Sequence, residues 1–161
     1  MHNRKTYFIG IAAIILLILT FFYQMASIPL FDADFWWHIA TGRHIVNTGT
    51  LPDADPFSFV STLDENKNLH PLRENFILKQ YWLCQVLFYF IYENTGSTGM
   101  ILLRAVLLVL TVCIVFWRLR RWNVSLPVSF LAVFILCAII NRSTGERPVL
   151  FTILFTPLLF F

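Results

Sequence analysis

Long apolar runs alternate with more polar links along this chain. Four runs can be drawn, at residues 7–25, 100–117, 126–140 and 149–161. A bilayer-spanning helix needs about 20 mainly apolar residues, and the third and fourth runs fall short of that length. The pattern predicts an all-α integral membrane protein with about four transmembrane helices. The fourth run is still apolar at Phe161, so the last helix is expected to be cut short.

The composition agrees with this prediction. Hydrophobic residues make up 58% of the chain, charged residues only 13%, and the mean hydropathy is +0.70. Soluble domains usually have a smaller fraction of apolar residues and a larger fraction of charged residues than this chain. Arg4 and Lys5 precede the first run, which is typical of a cleaved signal peptide or of an uncleaved anchor with a cytoplasmic amino end. Because the run exceeds the roughly 7–15 apolar residues of a signal peptide, residues 1–26 are predicted to be the first transmembrane helix.

The segment at residues 80–93 decides the orientation of the rest of the chain. It is too short for a full crossing, and its tyrosines and tryptophan suit a helix in the outer membrane interface. Residues 97–161 then hold three further spans, and Arg118, Arg120 and Arg121 serve as cytoplasmic topology signals. Residues 27–79 form a large outer loop, and the link at residues 141–148 faces the same side. A bacterial inner membrane is the expected location.

The outer loop holds most of the acidic residues, with seven of the nine between residues 32 and 74. Residues 35–46 are predicted to form an amphipathic interfacial helix with Asp34 as its N-cap. The apolar face expected to rest on the membrane comprises Phe35, Ile39, Gly42 and Val46. Residues 48–73 are rich in turn formers and are predicted to be a loop, with at most a short strand around residues 57–60.

Candidate chemistry is concentrated at the start of this helix, where Asp32 and Asp34 precede Trp36, Trp37 and His38. Two neighbouring carboxylates suit proton transfer or the binding of a divalent cation such as Mg²⁺ or Mn²⁺. The tryptophans are typical of the aromatic belt at the membrane boundary and also of sugar-stacking sites. His38 suits either an ion pair with Asp34 on one helix face or a contact with a ligand.

Other chemistries find little support in the sequence. Glycine-rich phosphate loops, a nucleophile elbow and zinc-binding motifs are absent from it. The net charge of +3 and the pI of about 8.9 do not indicate a nucleic-acid partner, because the basic residues lie at the predicted membrane boundaries. The lipid bilayer is therefore the first expected partner.

Short motifs spread over nearly the whole chain resemble one enzyme family. They are D-x-D-x-W-W-H-I-A-x-G-R from Asp32, G-x-x-P-x-x-D-P-F-S from Gly49, Tyr81-Trp82-Leu83, Arg104 and Arg147-Pro148. This set resembles the amino-terminal third of GT-C fold glycosyltransferases. These polytopic enzymes use polyprenyl-phosphate sugars and include protein mannosyltransferases and lipid A aminoarabinose transferases.

The resemblance implies transfer of a sugar from a polyprenyl-phosphate carrier to an extracytoplasmic acceptor. It places the catalytic base on Asp32. The family commonly has a second acid directly after this aspartate, whereas here Ala33 intervenes and Asp34 follows. A divalent cation is expected between Asp32 and Asp34. The residues expected to contact the lipid phosphate or the sugar are Arg104, Arg142, Arg147, His38, Trp36 and Trp37.

A second hypothesis comes from another class of protein. Four spans are too few to enclose the cavity that a lipid-sugar transferase needs. The chain would then be a catalytically silent membrane subunit, packed against the other subunits of a larger complex. A transporter or channel is less favoured, because ionisable residues are nearly absent from the centres of the predicted spans.

Overall fold

The computed structural model describes residues 4–52, 80–143 and 145–159, apart from the side chains of Arg142 and Ser143. The helices in these ranges are α1 Arg4–Ser27, α2 Phe35–Thr48, α3 Trp82–Arg121, α4 Leu126–Ser143 and α5 Val149–Leu159. No strand occurs in this part of the chain, so the all-α prediction is confirmed there. The loop and short strand predicted within residues 53–79 lie outside the described residues.

Two of the helices, α1 and α3, are long and apolar enough to cross a membrane. The apolar part of α4, Leu126–Asn141, and all of α5 are shorter. Within the described residues, length and composition thus support two candidate spans, and a count of four stays a prediction.

The backbone of α3 is interrupted at Gly96. This residue has φ 62° and ψ −156°, so it leaves the helical region between two helical stretches. A positive φ of this kind is readily adopted only by glycine. The chain divides near this point into two compact units, which we call the bundle unit (residues 1–30 and 101–161) and the α2 unit (residues 31–100).

The core of the bundle unit is built from one apolar face of each of its four helical segments. Its buried members are Phe21 and Met25 from α1, Ala105, Leu107, Leu108 and Val112 from α3, Val133, Cys137 and Ile140 from α4, and Leu150 from α5. The outward faces are apolar as well, and include Phe8, Ile9, Leu16, Leu131 and Ile139. The bundle unit therefore presents hydrophobic side chains on its inside and its outside.

Arg118 has a packing role in addition to its expected role as a topology signal. Its side chain is buried, and its guanidinium donates a hydrogen bond to the carbonyl oxygen of Pro157. Pro157 lies in the last turn of α5, where carbonyl groups have no partner within the helix. The guanidinium carbon also lies 4.7 Å from the ring centroid of Trp122. Arg118 thus joins the end of α3 to the end of α5.

The α2 unit is built on close packing between α2 and the first part of α3. The buried residues of α2 are Phe35, His38, Ile39, Thr41 and Gly42. Of the predicted apolar face, Phe35, Ile39 and Gly42 are buried within the protein, whereas Val46 is exposed. His38 joins the stripe instead, because it lies three residues after Phe35 and four before Gly42. Protein covers the buried part of this face, and contact of α2 with the membrane stays a prediction.

Replacing Gly42 with alanine is expected to separate the two helices of the α2 unit. The added methyl carbon would lie 2.1 Å from the carbonyl oxygen of Gln85 and 2.9 Å from the Cβ of Tyr89. Because the first of these is a backbone atom, the clash cannot be relieved by a rotamer change, and a loss of about 1–3 kcal/mol in the free energy of unfolding is expected. Equilibrium unfolding in detergent, followed by helicity, measures this loss.

Gly10→Ala is a matched control for that experiment. Its methyl carbon would lie 2.2 Å from Cδ2 of Leu126, which is the end of a side chain that can rotate away. We therefore expect a smaller loss than for Gly42→Ala. Equal losses would contradict the close backbone approach at Gly42.

Candidate functional site

Asp32 and Asp34 lie in a tight turn that leads into α2. The backbone N–H of Asp34 donates to Oδ1 of Asp32 at 3.0 Å, and the N–H of Phe35 donates to the Asp32 carbonyl oxygen at 3.2 Å. Asp34 occupies the predicted N-cap position, but its side chain makes no capping hydrogen bond. The reason is its backbone, since φ −76° and ψ −12° are helical, whereas a capping side chain needs an extended residue.

The local hydrogen bond assigned to Asp34 from sequence is therefore made by Asp32. Aspartate commonly accepts from the N–H two residues ahead, in an Asx turn. The turn fixes the direction of the half-buried Asp32 carboxylate at the entry of α2. Fixing a carboxylate in this way suits a general base, which must meet a hydroxyl proton at hydrogen-bond distance.

No cluster of three or more histidine, cysteine or acidic side chains that could hold a metal occurs among the described residues. Asp32 and Asp34 supply two carboxylates to any cation. Mg²⁺ commonly takes one or two protein carboxylates and completes its shell with water and substrate phosphate. The divalent cation therefore stays a prediction.

The predicted aromatic residues have different environments. The ring of Phe35 is fully buried, whereas Trp36 is 57% exposed and Trp37 is half-buried. The Trp36 ring stands edge-on to that of Tyr92, with centroids 5.6 Å apart and an interplanar angle of 86°. Of the two predicted tryptophans, Trp36 is the more available to a ligand.

His38 is buried in the packing of the α2 unit. Its Nδ1 lies 3.3 Å from Nε2 of Gln85, so Nδ1 accepts when the proton is on Nε2 of the imidazole. The rings of Tyr81 and Phe88 lie 6.2 and 6.4 Å from the imidazole, centroid to centroid. Gln85 was not identified from the sequence, although an amide within an apolar stretch of helix is itself a signal of a buried polar contact.

An open groove runs along the exposed face of α2 and ends at α3. Its volume is about 650 Å³, and it is lined by Trp36, Ile39, Ala40, Arg43, His44, Asn47, Thr48 and Tyr92. The α2 members recur every three to four residues, which is the spacing of one helix face. From this set, the sequence analysis proposed only Trp36 as a contact for the lipid phosphate or the sugar, although the helical spacing of Arg43 and His44 after Trp36 is visible in the sequence.

Arg104 is buried inside the bundle unit. Its guanidinium pairs with the carboxylate of Glu146, and the two side chains are 1% and 0% exposed. It also donates to the carbonyl oxygens of Met25 at 2.8 Å and Pro29 at 3.4 Å, and to that of Ile28. Arg104 thus caps the carboxyl end of α1.

The sequence explains why α1 needs this cap. The carbonyl of Met25 would normally accept from the backbone N–H four residues later, but position 29 is proline, which has no N–H. Arg104 supplies the missing donor, and Glu146 neutralises its charge. The sequence analysis missed Glu146, and a lipid phosphate would have to compete with this carboxylate for Arg104.

The other two predicted arginines belong to the link between α4 and α5. Arg147 is exposed, its N–H donates to the Gly145 carbonyl oxygen at 3.0 Å, and its own carbonyl accepts from Leu150 at 3.0 Å. It therefore stands in the turn that opens α5, where the partial positive charge of a helix start favours anions. Arg142 lies in the last turn of α4, and its side chain is outside the described part of the structure.

The chemistry of this chain is thus divided between an aspartate turn and a cationic, aromatic groove in the α2 unit, and an exposed arginine in the bundle unit. No protein-family model matches the sequence, and neither a curated protein nor a solved structure matches it.

Proposed function

We propose that this chain is a membrane-embedded glycosyltransferase-like protein that transfers a sugar from a polyprenyl-phosphate carrier to an extracytoplasmic acceptor. The observation that carries the proposal is the Asp32 carboxylate, held by the Asp34 N–H in the turn that joins apolar α1 to aromatic α2. The motif resemblance supplies the reaction class. The carboxylate supplies the group that this reaction requires.

The membrane placement is supported by the surface of the bundle unit. Large apolar side chains cover the outward side of α1, including Phe8, Ile9 and Tyr23. Water-soluble proteins rarely expose contiguous apolar patches of this kind. We propose four spans in a bacterial inner membrane, with the amino end in the cytoplasm because Arg4 and Lys5 precede α1.

The proposed reaction is a direct displacement at the anomeric carbon. Asp32 accepts the proton of the acceptor hydroxyl as the new carbon–oxygen bond forms and the bond to the lipid phosphate breaks. The departing phosphate gains negative charge, which a guanidinium stabilises by paired hydrogen bonds. Arg147 is the exposed predicted arginine and is proposed for this contact. An Mg²⁺ or Mn²⁺ ion held by Asp32 and Asp34 would stabilise negative charge on a phosphate group.

Replacing Arg147 with alanine tests the phosphate contact. Binding of polyprenyl phosphate is expected to weaken by about tenfold or more, since a hydrogen bond to a charged group contributes roughly 1.5–3 kcal/mol. Binding of the unphosphorylated polyprenol should not change. Titration of both lipids, followed by native mass spectrometry, measures the difference. Equal weakening for the two lipids would contradict a phosphate contact at Arg147.

A second candidate function is a catalytically silent membrane subunit. The observation that favours it is the Arg104–Glu146 pair. Arg104 was predicted to contact the lipid phosphate, but here it is buried, pairs with Glu146 and caps the end of α1. A scaffold needs such a cap but does not need a reactive Asp32. Turnover by the wild-type chain, and its dependence on Asp32, separates the two candidates.

A further inference from the structure

We infer that the groove along α2 binds the phosphate headgroup of an anionic phospholipid from the surrounding bilayer. The groove offers an aromatic wall and a row of polar and cationic side chains on one open face. Nothing in the proposed sugar transfer uses Arg43, His44 or Asn47. The inference rests on the membrane placement proposed above and does not depend on glycosyl transfer.

The charge of the groove suits an anion. Arg43 and His44 lie next to each other in its lining, and none of the lining residues that the structure describes is acidic. The structure records no ion pair between either of them and another described residue. Glu93 follows Tyr92 in α3 but does not line the groove. Arg43 thus provides a planar donor that matches the geometry of phosphate oxygens.

The aromatic wall and the chain connection favour a lipid as the source of that phosphate. The Trp36 and Tyr92 rings are centred 5.6 Å apart, and both residue types are enriched at the lipid–water boundary. Only residues 28–34 separate the end of α1 from the start of α2. If α1 crosses the bilayer, this short link ties α2 to the membrane surface, where headgroups are concentrated.

A titration of the full chain in detergent with phosphatidylglycerol and with phosphatidylcholine of the same acyl chains tests the inference. Native mass spectrometry counts the bound lipid. The wild-type chain should prefer phosphatidylglycerol. Arg43→Gln should weaken phosphatidylglycerol binding by about fivefold, the change expected for one basic side chain near an anionic lipid, and leave phosphatidylcholine binding unchanged. Arg43→Lys should retain most of the preference because it retains the charge.

Arg121→Gln is the matched control, because it removes the same charge from an exposed arginine outside the groove. A similar loss in this variant, or no preference in the wild type, would overturn the inference. Inorganic phosphate that binds without lipid and depends on Arg43 would also overturn it, since the groove would then take a soluble anion. A chain with the lipid preference but no transferase turnover would refute only the proposed function.

Discussion

Replacing Arg104 with alanine is expected to lower the free energy of unfolding by about 3–5 kcal/mol, because the buried Glu146 carboxylate would lose the guanidinium that offsets its charge. Glu146→Ala should cost a similar amount, since it removes the carboxylate that neutralises the buried guanidinium. Both side chains are almost completely buried. The carbonyl groups of Met25, Ile28 and Pro29 also lose their donor when Arg104 is removed. Reversible unfolding in mixed micelles measures these losses.

The double variant Arg104→Met with Glu146→Leu separates the ion pair from the cap. Replacing a buried pair with apolar residues is often close to neutral, so much of the stability should return. The Met25 carbonyl would still lack a donor, which leaves a residual loss of about 1–3 kcal/mol. Arg121→Ala, at an exposed site, should change stability by less than about 0.5 kcal/mol. A loss for Arg104→Ala as small as this control would contradict the buried cap.

Replacing Asp32 with asparagine is expected to lower turnover by about 10²–10⁴-fold, the usual contribution of a general base. The amide oxygen of asparagine can still accept from the Asp34 N–H, so the turn and α2 should keep their structure. Release of polyprenyl phosphate from a synthetic polyprenyl-phosphate sugar measures turnover. Circular dichroism of the same sample confirms that helicity is unchanged.

Two further variants make this test specific. Asp32→Ala removes both the base and the turn acceptor, so it should lower turnover and stability together. Asp34→Asn should keep most of the turnover if Asp34 has no part in the reaction, whereas a loss that added Mg²⁺ or Mn²⁺ reverses would assign Asp34 to the cation. Turnover of Asp32→Asn near that of the wild type would remove Asp32 from the role of base.

The helices were predictable because each has a local signal. The apolar run at residues 7–25 gave α1, and the spacing of Phe35, Ile39 and Gly42 gave α2, which ends at Thr48 with Gly49 in a left-handed conformation. Glycine at that position is a common helix stop. These features depend on neighbouring residues alone, so the sequence carries them directly.

The contacts that define the candidate site were less predictable because they join distant positions. Arg104 and Glu146 are 42 residues apart, and only packing shows that they meet. His38 and Gln85 are 47 residues apart, and the spacing that places His38 on the buried stripe of α2 does not show which residue it contacts there. The exchange of roles between Asp32 and Asp34 depends on backbone angles that either aspartate could adopt. Long-range pairing and backbone detail were therefore beyond what periodicity could give.

A native mass spectrum of the protein extracted gently from its own membrane tests the central claim most directly, because retained lipid and bound subunits are measured together. The proposed function predicts a chain that carries the mass of a polyprenyl phosphate or its sugar derivative, and loss of that mass in Arg147→Ala. A chain without such a lipid, held in a larger assembly of other subunits, would contradict the transferase and favour the silent subunit.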